Sequence, residues 1–86
     1  MKYSYPLEYK KTEDDPCYPN GVYEGELVDF FGCYPCGETF EEMMEDARGM
    51  LAFVIECALI DGLKLPTPSQ GDTMVTVDVE GKRRTI

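Results

Sequence analysis

Tyr3, Tyr5, Leu7 and Tyr9 alternate with Ser4, Pro6, Glu8 and Lys10, the period-two pattern of a strand with one apolar face. Pro6 has no N–H to give to a ladder, which directs this strand to a sheet edge. Thr12 to Gly21 is turn chemistry, with Pro16, Pro19 and an Asn20-Gly21 pair. Val22 to Asp29 reads as a second strand, Tyr23 and Leu27 on one face and Glu24 and Glu26 on the other. Phe30 to Gly37 is a glycine-bounded corner leading into a short third strand.

The period then changes from two to 3.6. Thr39 and Glu42 have the spacing of a capping box, and Glu41, Glu42, Glu45 and Asp46 fall in the first turns, where the helix dipole favours negative charge. Phe40, Met43, Met44, Ala47, Met50, Leu51, Val54, Ile55, Ala58 and Leu59 form the stripe of an amphipathic helix. Asp61-Gly62 supplies a glycine stop, and Pro66 and Pro68 bar continuation. Val75, Val77 and Val79 alternate with Thr76, Asp78 and Glu80 in a last strand. The order β-β-β-α-β predicts an α+β fold: a single, mostly antiparallel sheet with one long helix packed on one face. Residues 1–80 form the domain and residues 81–86 a basic tail, with no internal repeat and no linker. Parity along the strands leaves Glu8, Glu24, Glu26, Asp78 and Glu80 on the face turned away from the helix, an acidic docking surface.

Composition sharpens this. The 86 residues carry 8 basic and 17 acidic side chains, a net charge of −9. Phosphate-rich partners such as nucleic acid or an anionic membrane are repelled by such a charge, and basic ones attracted. The charge is concentrated: Glu13 to Asp61 holds thirteen acidic residues against Arg48 alone, whereas Lys82, Arg83 and Arg84 crowd the tail. No apolar run is long enough to span a membrane, and MKYSYPLEYKK lacks the apolar core of a signal peptide, so a cytoplasmic protein is expected. Cys17, Cys33, Cys36 and Cys57 are then expected as thiols. The absence of histidine removes the commonest general base and any Cys/His or Ser/His nucleophilic pair.

The segment Leu27-Val-Asp-Phe-Phe-Gly-Cys-Tyr-Pro-Cys-Gly-Glu-Thr-Phe-Glu-Glu resembles the strand–loop–helix signature of the HicB-like antitoxin family, F-P-D-L-P-G-C-x-T-x-G-x-T-x-E-E, at Asp29, Gly32, Cys33, Gly37, Thr39, Glu41 and Glu42. Asp61-Gly62 and Leu65-Pro66-Thr67-Pro68-Ser69 are similar to the family's helix exit and following loop, and MKYSYPLEY to its first strand. The resemblance implies a partial ribonuclease-H-like fold. It also implies an antitoxin that blocks a small basic mRNA-cleaving toxin of the HicA type, needs no cofactor and catalyses nothing. On this reading Asp29, Gly32, Cys33, Gly37, Thr39, Glu42, Gly62 and Pro66 are structural. Glu8, Glu24, Glu26, Asp29, Phe30, Phe31 and Asp78 are the candidate partner-binding residues. The family's C-terminal DNA-binding domain has no counterpart before Ile86, so no direct nucleic-acid binding is expected of this chain.

Other readings stay open. Cys33-Tyr34-Pro35-Cys36 has the spacing of half a zinc site or of a redox dithiol, although zinc needs two further ligands and only Cys17, Cys57 and carboxylates remain. Glu8, Glu24, Glu26 and Asp78 could converge as a two-metal nuclease site. A protein that keeps the fold without a toxin, as a homodimer paired along edge strands, is the remaining alternative. Of the adjacent Phe30 and Phe31, one is expected in the core and one in solvent.

Overall fold

The alternating segment at the N-terminus forms β1 (Lys2–Thr12), and Val22–Leu27, Cys36–Gly37 and Met74–Asp78 form β2, β3 and β4 around the single helix α1 (Phe40–Asp61). The computed structural model describes residues 1–79; Glu80 and the basic tail lie outside them. The four strands are ordered β3-β2-β1-β4, with every neighbouring pair antiparallel. The α+β class and the β-β-β-α-β order are those expected.

Pro6 did not send β1 to an edge. The strand is central, but it changes partner at the proline: Lys2 to Pro6 pair with β4, and Leu7 to Thr12 pair with β2. In an antiparallel strand the N–H and C=O of one residue point to the same side. The Pro6 carbonyl accepts from the Val28 amide (3.3 Å), while the Leu7 amide donates across the other side to Thr73 (2.8 Å). The missing N–H therefore falls where the β2 ladder has just ended, and no bond is lost to β4.

One face of the sheet meets α1. Tyr5, Leu7, Leu27, Val75, Val77 and Val79 pack on Met43, Ala47, Leu51 and Ile55, the inner edge of the helical stripe. The helix is bounded as its sequence predicts. Thr39 is the N-cap, its hydroxyl accepting from the Glu42 amide (3.1 Å). The reciprocal bond differs from a standard capping box: the Glu42 carboxylate takes the Glu38 amide (3.0 Å) instead of that of Thr39. At the other end Gly62 is left-handed at φ 70°, and the Leu63 amide reaches the Ala58 carbonyl at 2.8 Å, closing a Schellman cap. β3 sits so close to the first turn of α1 that a Cβ on Gly37 would strike the backbone of Met43 and Glu42.

Candidate protein-interaction surface

The face of the sheet away from α1 is built by parity. Register puts Glu8 opposite Glu26, Lys10 opposite Glu24, and Lys2 opposite Asp78. Glu8, Glu24, Glu26 and Asp78 are all exposed there, as expected, but they are not alone. Lys2 and Lys10 share the face, and the Met1 ammonium lies 2.9 Å from Asp78. A hydrogen bond from that ammonium, reinforced by its charge, holds the Asp78 carboxyl below its ordinary value of 3.8. The sheet face is thus mixed in charge, a correction to the acidic surface read from parity. Glu80, assigned to the same face, lies outside the described residues.

The helix carries what the sheet does not. Glu41, Glu42, Glu45, Asp46, Glu56 and Asp61 stand on α1 against a single cation, Arg48. Among the described residues the ion pairs are Met1–Asp78 and Lys11–Glu13, so none of these helix carboxylates is neutralised by a lysine or arginine there.

Around the strand–loop–helix segment, several motif residues have a structural task. Asp29 accepts hydrogen bonds from both the amide (2.9 Å) and the hydroxyl of Ser69, forty residues away. That clasp holds the α1–β4 connection as it rounds the end of the sheet. On the helix side the Tyr5 hydroxyl donates to the Pro66 carbonyl (2.7 Å), and on the opposite side Gly71 lies against the buried Pro6. Burial pushes the Tyr5 phenol up from 10.0, and the nearby Asp29 carboxylate adds to the shift. Asp29 is therefore engaged within the chain and is not a free contact for a partner. Gly32 turns the chain at φ 86°, and the Cys33 carbonyl accepts the Leu27 amide at 3.0 Å.

Phe30 and Phe31 point opposite ways. Phe30 packs edge-on against Tyr5, ring centroids 4.7 Å apart, and belongs to the core. Phe31 is 100% exposed. Beside this turn Tyr34, 56% exposed, lines a hollow with Glu8, Lys10, Glu24 and Glu26. Tyr34 was missed from sequence, although pairing of Gly25 with Pro35 and of Glu24 with Cys36 puts it on the same face as Glu26.

Cys33 is half-buried and Cys36 exposed, and burial raises the Cys33 thiol above 9.0, the opposite of what a reactive thiolate needs. Among the described residues no three His, Cys, Asp or Glu side chains converge as metal ligands. Glu8, Glu24 and Glu26 share a hollow, while Asp78 is engaged at the other end of β1. Among the described residues no helix is long and apolar enough to cross a membrane. In comparisons with known proteins, the chain matches no family model, no curated protein and no solved structure.

Proposed function

We propose that this chain works by binding, as an antitoxin-like module in the cytoplasm that covers the RNA-holding surface of a small basic toxin of the HicA type. The observation that carries this reading is the turn at Val28 to Gly32. Its tip presents a fully exposed Phe31, and its base is fixed to Ser69 through Asp29. An apolar anchor on a turn already held in place loses little entropy on docking, the property of an interface hot spot. The clasp also joins the two stretches that carry the family resemblance, Leu27 to Glu42 and Leu65 to Ser69.

Glu8 and Glu26 face each other across β1 and β2, a like-charge pair that repels at close range. A lysine or arginine of the partner entering the hollow beneath Tyr34 relieves that repulsion and is withdrawn from RNA. Carboxylates on the sheet and on α1 together steer a basic partner in, and this steering weakens as salt rises. Asp29 and Phe30 act by holding the turn, and Phe31, Tyr34, Glu8, Glu24 and Glu26 by contact.

The test is capture with the tagged chain from its native host at moderate salt. The expected catch is one stoichiometric basic partner whose RNA cleavage falls when the chain is added back. Recovery of an acidic or RNA-inert partner contradicts the reading. The outer edge of β4 favours a second reading, an orphan homodimer. Met74, Thr76 and Asp78 direct their backbone groups away from β1, with no proline, bulge or lysine among them to discourage pairing. Sedimentation of the purified chain separates the two: a dimer that persists when a basic partner is offered supports the orphan form.

A further inference from the structure

The outer face of α1 carries a feature that neither the core nor the turn at Phe31 uses. Gly49 lies mid-helix, exposed, and a Cβ built on it would meet nothing within 4 Å. Glycine is among the poorest helix formers, and here no close approach within the chain requires it. One turn on, Phe53 is 67% exposed. It stands out of phase with the stripe of Met43, Ala47, Leu51 and Ile55 that faces the sheet. Gly49, Phe53 and Met50 form a shallow apolar hollow bordered by Glu42, Glu45 and Asp46.

A missing side chain beside an exposed ring has the shape of a seat for a ridge from another element. A second copy fits that shape, because two antiparallel helices could set each Phe53 into the other's Gly49. It does not fit the charge. Such a pairing brings Glu45 and Asp46 of one helix against Glu56 of the other, with Arg48 the only cation on either α1. The remaining occupant is a segment that is cationic around an apolar ridge.

We propose that the outer face of α1, centred on Gly49 and Phe53, is a second docking surface, whose occupant is a basic amphipathic helix of another protein. It uses neither the turn at Phe31 nor the sheet face, and shares with the toxin reading only the long-range pull of the α1 carboxylates. The probe is a labelled synthetic 18-residue peptide of leucine and lysine in helical period, with a control in which serine replaces each leucine at unchanged charge. Binding to the full chain is followed by fluorescence anisotropy.

The expected result is saturable binding that weakens at least tenfold in Gly49→Gln, which fills the hollow without changing charge, and in Phe53→Ser. Glu45→Gln weakens it less, Phe31→Ser leaves it within twofold, and the serine control binds at least tenfold more weakly than the leucine peptide. Gly49→Ala raises the thermal midpoint of the free chain by about 2–8 °C, as expected for an exposed helical glycine that the monomer does not need. Circular dichroism establishes that each variant is folded. Absence of peptide binding, or equal binding to wild type, Gly49→Gln and Phe53→Ser, overturns the proposal. A wild-type dimer that Gly49→Gln disperses overturns it too, by assigning the face to a second copy.

Discussion

Asp29 shows how one side chain can change role between sequence and structure. Its position in the motif marks it as structural, and its charge beside Phe30-Phe31 marks it equally as a contact. The two hydrogen bonds to Ser69 decide the matter, because a carboxylate filled by an amide and a hydroxyl of its own chain is a clasp. Asp29→Ala is expected to cost about 1 kcal/mol in urea unfolding, the usual worth of such a bond with a charged acceptor after solvent exposure. In a double-mutant cycle with Ser69→Ala, which removes the hydroxyl but keeps the amide, the hydroxyl's share of that loss should appear as coupling, and strict additivity of the two losses contradicts the hydroxyl half of the clasp. The thiols give a second check. Cys17 and Cys36 are exposed, whereas burial raises Cys33. Timed alkylation near pH 8 should label those two first, and prior labelling of Cys33 contradicts its placement. The motif marked Asp29 as structural but not its partner, since Asp29 and Ser69 meet only through the tertiary fold, and C-x-x-C spacing says nothing about which sulfur is buried.

At the scale of elements, sequence reading went furthest where the pattern was long. Ten apolar positions at helical spacing, with Thr39 and Gly62 at the ends, specify α1, and the structure starts at Phe40 and ends at Asp61. Strand periodicity likewise located β1, β2 and β4. It failed on the neighbours of β1, because a proline reports a missing donor and not the side on which that donor is missing. Leu51, fully buried at the centre of the helix–sheet contact, is where truncation should hurt most. Leu51→Ala is expected to destabilise by about 2–5 kcal/mol, and Thr39→Ala, which removes the N-cap, by about 1 kcal/mol, both read from denaturant midpoints at unchanged slope. A Leu51→Ala loss below that of Thr39→Ala contradicts the packing described.

For the whole molecule, the distribution of charge matters more than its total. The net charge of −9 was evident at once, and parity correctly put Glu8, Glu24, Glu26 and Asp78 on one face. What parity also carries, Lys2 and Lys10 on that same face, dilutes it, while the carboxylates of α1 stand almost unopposed. Alkaline stability follows from the buried acids. The folded-state values of Tyr5 and Cys33 lie above their ordinary 10.0 and 9.0. The unfolded chain therefore releases these protons first as pH rises. Their contribution to stability is complete below about pH 9 and is lost progressively above it. A midpoint in urea that stays flat from pH 8 to 11 contradicts the burial of both groups.

The central claim, that the turn at Phe31 closes over a basic RNA-cleaving partner, is tested most directly by titrating the captured partner's RNA cleavage with this chain. One equivalent of wild type should abolish cleavage, and the inhibition constant fitted for folded Phe31→Ser should be at least tenfold weaker, about 1.4 kcal/mol of lost affinity. Cleavage that persists at saturating wild type, or that Phe31→Ser suppresses equally well, contradicts the account.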